Sequence, residues 1–178
     1  MSNSSISFKP ERQTMKQYSL KNFAPLIIIF SLIMFITMGS KFYYNLTTHD
    51  TMRIFMASFF LIFGFFKIIN LAGFAKAYSI YDIIAKKYFW YGYVYPFLEI
   101  SLGLAYLYNW QPVFTNIFTL ILMLVSAAGV FNELKKGKHI TCACLGVLFT
   151  IPMTYVTLAE DMIMALMALI MLLSANPI

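Results

Sequence analysis

Long apolar blocks separated by short polar, often basic segments run the length of this chain. The first block covers residues 22–44, with Leu26-Ile-Ile-Ile-Phe30 at its heart. The others fall at 52–73, 89–109, 113–132 and 154–174. Each is close to the roughly 20 apolar residues that carry a helix across a bilayer. Pro152 stands just ahead of the last block, where it suits a helix start better than a helix interior. The pattern predicts an all-α integral membrane bundle of five transmembrane helices.

The segment 74–87 reads differently. Phe74, Ala77, Tyr78, Tyr81 and Ile84 share one side of a helix, and the basic residues lie elsewhere. A surface helix is expected there. His49 and Asp50 are expected in a solvated loop between the first two spans. Tyr88, Phe89, Trp90, Tyr91, Tyr93 and Tyr95 crowd one end of the third span, and Tyr106, Tyr108 and Trp110 mark the other. Aromatic residues of this kind anchor helices at the two membrane interfaces. A quinone or other flat ligand among them is the alternative.

Basic residues give an orientation. The tail 1–21 carries Lys9, Arg12, Lys16 and Lys21. Lys76, Lys86 and Lys87 follow the second span, and Lys135, Lys136 and Lys138 follow the fourth. With five crossings these ten lie on one side, while the opposite side has only Lys41 and Arg53 near its first loop. By the positive-inside rule the N-terminus is cytoplasmic and the C-terminus outside. A bacterial inner membrane fits that arrangement.

Composition sharpens the class. The 178 residues are 61% hydrophobic and 11% charged, against about 25% charged in ordinary soluble domains. There is no room for a soluble catalytic domain. The net charge of +6 flanks the spans rather than forming a stripe, which argues against nucleic acid and for membrane lipids as partners. The first block follows a polar tail and lacks a small-residue exit, so it reads as a retained anchor and not a cleaved signal.

Ionisable groups inside hydrocarbon are costly and generally face protein or water. Four occur here: Lys67, Glu99, Glu160 and Asp161. Lys67 is expected to pair with Glu99 or with Glu160. Lys67, Glu99 and Glu160 are the candidate supporting charges of a site, with helix packing as the plainer role. Met153, Thr157, Glu160, Met164, Met167 and Met171 recur every three or four residues and share one face. Methionines are flexible core fillers, and their thioethers are also soft ligands for copper(I). Gly64, Gly92, Gly103 and Gly129, with Ser101, Ser126 and Ala127-Ala128, permit close helix approach. The spacing of a phosphate-cradling loop is not found.

The only two cysteines stand together in His139-Ile-Thr-Cys142-Ala-Cys144-Leu-Gly146, between the last two spans. Separated by one residue, their sulfurs point to the same side of an extended segment. A disulfide there closes a very small ring and should exchange readily. Two reduced thiolates equally suit copper(I) or zinc. His139, Glu160 and Met164 are the further candidate ligands in that reading. Lys135, Lys136 and Lys138 would favour the thiolate if they approach it. Inert packing is the third reading of the pair.

The chain resembles the methylamine-utilisation MauE family, within the DoxX-like membrane proteins. The resemblance rests on Met56-Ala-Ser-Phe-Phe-Leu-Ile-Phe-Gly64-Phe-Phe-Lys67, Phe74-Ala-Lys-Ala-Tyr78, Tyr81-Asp82, Gly92-Tyr-Val-Tyr-Pro96-Phe-Leu-Glu99, Leu102-Gly103 and Cys142-Ala-Cys144-Leu-Gly146 before Pro152. It implies a four-helix core over 52–174, with the helix at 22–44 as an addition. It also implies a redox-associated accessory role, with Cys142 and Cys144 as the thiols, in maturation of a methylamine-dehydrogenase-like partner. Three functions stay open: disulfide exchange or electron relay with a thiol-redox protein, soft-metal transfer from a cytoplasmic carrier, and a non-catalytic scaffold in a membrane complex. Self-association into an oligomer is compatible with all three.

Overall fold

A computed structural model describes residues 24–135 and 154–175, and every regular element among them is a helix. In chain order these are α1 (Ala24–Tyr44), α2 (Thr48–Ile69), α3 (Leu71–Tyr78), α4 (Ile83–Lys87), α5 (Tyr91–Leu107), α6 (Pro112–Lys135) and α7 (Thr154–Ala175). The α6–α7 connection, with His139, Cys142 and Cys144, lies outside the described residues, as do the tail and Met153.

Four helices are long and apolar enough to cross a membrane: Leu26–Tyr44, Thr48–Ile69, Pro112–Lys135 and Thr157–Ser174. The expected fifth span over 89–109 is not among them. Its helix, α5, has 17 residues, or roughly 26 Å at 1.5 Å per residue, against a hydrocarbon core of about 30 Å. Both ends of the apolar block are spent on turns. Tyr91, Gly92 and Tyr93 donate back to the carbonyls of Tyr88, Phe89 and Trp90. At the other end Asn109 and Gln111 take positive φ values of 53° and 40°.

Local capping explains two further departures from expectation. The Thr47 side chain accepts from the Asp50 backbone N–H, so α2 begins at Thr48 and takes His49 and Asp50 into its first turn. The surface segment 74–87 is two helices, not one. The Asp82 carboxylate accepts from the backbone N–H groups of Ile84 at 2.9 Å and Ala85 at 2.8 Å, and from the Tyr78 hydroxyl at 2.9 Å. That cap starts α4 afresh and turns the chain. The expected apolar side exists, but Phe74, Tyr78 and Tyr81 are buried in protein rather than laid on lipid.

Two helix pairs form the body: α2 along α5, and α6 along α7. The α2–α5 pair is antiparallel. Lys67 meets Glu99 near one end, Phe60 stacks on Tyr106 at 6.1 Å, and Arg53 donates to the Tyr106 carbonyl at 2.8 Å near the other. Glycines allow the approach. A Cβ at Gly103 would stand 2.8 Å from Leu61 Cγ, and one at Gly64 2.8 Å from Ile100 Cγ1. α1 leans on α2 through Ile29, Ile33 and Phe30, whose ring meets those of Phe59 and Phe63 edge-on. Phe35, Phe65, Ile121 and Leu166 remain exposed, as suits side chains that face lipid.

Candidate functional site

The four ionisable groups expected inside the spans meet in one place. Lys67 lies in the last turn of α2, Glu99 near the middle of α5, and Glu160 and Asp161 in the second turn of α7. All four side chains are buried. Of the two pairings expected, the structure forms Lys67–Glu99. Tyr95, one turn before Glu99 on α5, is buried and lines the same cavity. Ser126 on α6 lines the same cavity as Asp161, so the cluster draws on all four long helices of the two pairs.

Aromatic rings wall the cluster. The Lys67 ammonium sits 5.1 Å from the Tyr95 ring centroid and 5.4 Å from that of Phe74. That is cation–π distance. Tyr78 and Tyr81 close the same space from α3 and the turn after it, and Phe59 and Phe63 close it from α2. The cavity these side chains enclose holds about 20 Å³ of room for the centre of a water-sized sphere, roughly the space of a single water.

Among the described residues, one ammonium faces three carboxyl groups in this cavity. Glu99 Oε2, Glu160 Oε1 and Asp161 Oδ2 are each buried without a hydrogen-bond partner among the described residues. Buried polar oxygens of this kind ordinarily find partners. No group of three His, Cys, Asp or Glu side chains among the described residues converges closely enough to hold a metal ion.

The remaining candidates divide by location. Met164 and Met171 are buried on the same face of α7 as Glu160, as the stripe predicts, and Met167 is half-buried there. Cys142, Cys144 and His139 fall outside the described residues. The ends of that connection are nonetheless placed. It leaves α6 just after Glu133, which pairs with Lys86 on α4, and enters α7 less than two turns before Glu160.

Several members of the cluster are not evident from sequence. Tyr95 reads as an interfacial anchor but is buried against Lys67, and Tyr106 likewise is core. Their helical spacing from Glu99 and Gly103 is the available signal. Ser126 reads as a small packing residue; only its burial in the cavity that Asp161 lines sets it apart. Tyr88, Phe89, Trp90, Tyr93, Tyr108 and Trp110 are exposed at the helix ends, as anchors should be.

Apolar helices around a buried, aromatic-walled charge cluster define a small α-helical integral membrane protein with a polar centre inside its bundle. The chain belongs to the family of methylamine utilisation protein MauE, whose family model matches residues 28–174. No curated protein and no solved structure matches it.

Proposed function

We propose that the chain is an integral membrane accessory protein of methylamine utilisation whose Cys142 and Cys144 exchange disulfides with a thiol-bearing partner. The observation that carries this reading is the extent of the family match, which takes in both the charged cluster and the cysteine pair. A methylamine-dehydrogenase-like enzyme under maturation is the proposed beneficiary. In the exchange, a partner thiolate attacks one sulfur of the Cys142–Cys144 bond and a mixed disulfide forms. The partner's second thiol then displaces it. Two hydrogens pass to Cys142 and Cys144, and the partner leaves oxidised.

The sequence around the pair supports the chemistry. Its segment carries Lys135, Lys136 and Lys138 nearby in sequence, and cationic neighbours favour thiolate over thiol. Lys67, Glu99 and Glu160 are proposed as supporting charges for that exchange. We also propose that α5 is a short fifth crossing. It runs antiparallel to α2 from Lys67 down to Arg53, and α2 has the length and apolarity of a span. Five crossings put the basic segments, with the N-terminus, on the cytoplasmic side.

Soft-metal transfer is the second reading, favoured by the buried Met164 one turn from Glu160, with Met171 buried further along the same face. Copper(I) or zinc would then need Cys142, Cys144 and His139 to complete its ligand set. One preparation separates the two readings. Metal content and free thiols are measured on the same anaerobically purified protein, with the Cys142→Ser/Cys144→Ser protein as control. A metal-free thiol pair that closes and reopens reversibly is the expected result. Near-stoichiometric copper or zinc, absent from the control, would replace it with metal transfer. Inertness on both counts would leave a scaffold.

A further inference from the structure

We infer that the enclosed cluster of Glu99, Glu160 and Asp161 is a binding site for a small ammonium cation. The argument starts from charge. Lys67 and Glu99 compensate one another, which leaves Glu160 and Asp161 without a cation among the described residues. Two ionised carboxylates inside a membrane bundle are strongly unfavourable. A proton or a cation placed between them relieves that cost.

The geometry selects the kind of cation. Each of the three carboxyl groups offers an orphaned, buried oxygen to one cavity: Glu99 Oε2, Glu160 Oε1 and Asp161 Oδ2. Among the described residues they do not converge on one metal ion, whereas an ammonium donor reaches oxygens at about 2.7–3.2 Å, farther than the roughly 2.0–2.6 Å of a metal–oxygen bond. The other walls are rings. Phe59, Phe63, Phe74, Tyr78, Tyr81 and Tyr95 surround the same space. Carboxylate oxygens combined with aromatic faces are the chemistry that recognises ammonium groups. The cluster already demonstrates the fit, because the Lys67 ammonium is held against Phe74 and Tyr95 in this way. The free space matches one water, and an ammonium ion is about that size. Methylammonium needs one methyl more, and the flexible Met123 side chain on the cavity wall is the element able to yield.

The site shares Glu99 and Glu160 with the supporting charges of the proposed thiol chemistry, but cation binding does not use Cys142 or Cys144, so failure of one reading is distinguishable from failure of the other. The test is calorimetric titration of the full chain in lipid nanodiscs with ammonium chloride and methylammonium chloride, against sodium and choline chlorides at equal ionic strength. One saturable site for ammonium or methylammonium is expected, with sodium at least tenfold weaker and choline silent. Glu160→Gln and Asp161→Asn should each weaken binding at least tenfold. Phe74→Leu, which changes no charge, should weaken it severalfold and covers the case in which a carboxyl variant fails to fold. The Cys142→Ser/Cys144→Ser protein should bind like the parent. Absence of saturable binding, sodium binding equal to ammonium, or insensitivity to all three wall substitutions would overturn the inference.

Discussion

Gly129 on α6 lies directly against the carbonyl of Tyr81, so that a Cβ added there would stand 2.7 Å from that oxygen and 3.1 Å from Asp82 Cα. Both obstacles are backbone, held by the Asp82 cap of α4, and cannot rotate aside. The contact seats the α3–α4 turn, and with it Tyr78 and Tyr81, over the charged cluster. Gly129→Ala should therefore cost about 1–3 kcal/mol, the usual range for overpacking. Gly39→Ala is the internal control. Nothing lies within 4 Å of its added Cβ, and within α1 the change should be neutral or stabilising by up to about 1 kcal/mol. Unfolding in mixed micelles, followed by circular dichroism, reads both. Equal behaviour of the two variants would contradict the close contact.

The Lys67–Glu99 pair makes a different prediction, because removal of one partner strands the other. Lys67→Met leaves a third uncompensated carboxyl in the cluster and should destabilise by about 3–5 kcal/mol. Glu99→Leu strands the ammonium, although Phe74 and Tyr95 still face it. The double variant removes both charges and should cost clearly less than the sum of the singles. An additive result in the same unfolding assay would show that the two residues do not interact.

Much of this centre was legible in the sequence because charge inside an apolar block is conspicuous. Lys67, Glu99, Glu160 and Asp161 stand out against their neighbours, and a bilayer gives them little choice but one another. The methionine face follows from helical period alone. What was not legible depends on three-dimensional partners. Tyr95 and Tyr106 share composition and span-end position with true interfacial anchors such as Trp90 and Trp110, and only packing against α2 separates them. The short length of α5 is likewise hidden, since the turns at Tyr88–Trp90 and Asn109–Gln111 are made of residues that continue the apolar pattern. Asp82 ends the expected surface helix through a cap that requires the Tyr78 hydroxyl one turn back.

A second polar knot lies away from the charged cluster. The buried Tyr106 hydroxyl is 2.8 Å from Asn116 Oδ1 and 3.0 Å from Thr119 Oγ1, tying α5 to α6. Hydrogen bonds between membrane helices average about 0.6 kcal/mol and reach about 1.7. Tyr106→Phe keeps the stacked ring on Phe60 and loses only the hydroxyl, so a loss of about 1 kcal/mol is expected. Thr119→Val should cost less, because Asn116 continues to accept from Tyr106. If Tyr106→Phe were as stable as the parent, the α5–α6 contact would rest on apolar packing alone.

The crossing of α5 decides the topology and is open to direct measurement. Lys87 precedes α5 and Asn109 follows it, and both are exposed. In the Cys142→Ser/Cys144→Ser background, Lys87→Cys and Asn109→Cys supply one reporter thiol on each side of the helix. Intact cells are treated with a membrane-impermeant maleimide, then permeabilised and treated again. If α5 crosses, Asn109→Cys reacts at once and Lys87→Cys only after permeabilisation. If α5 enters and leaves by one face, both thiols react in the same step. The first outcome places Lys76, Lys86 and Lys87 in the cytoplasm as the positive-inside rule requires. It also puts the α6–α7 connection on that side, so disulfide exchange with an external partner would have to be relayed through the bundle. The second outcome removes that constraint and moves the cysteine pair to the face opposite Lys87, since α6 still crosses.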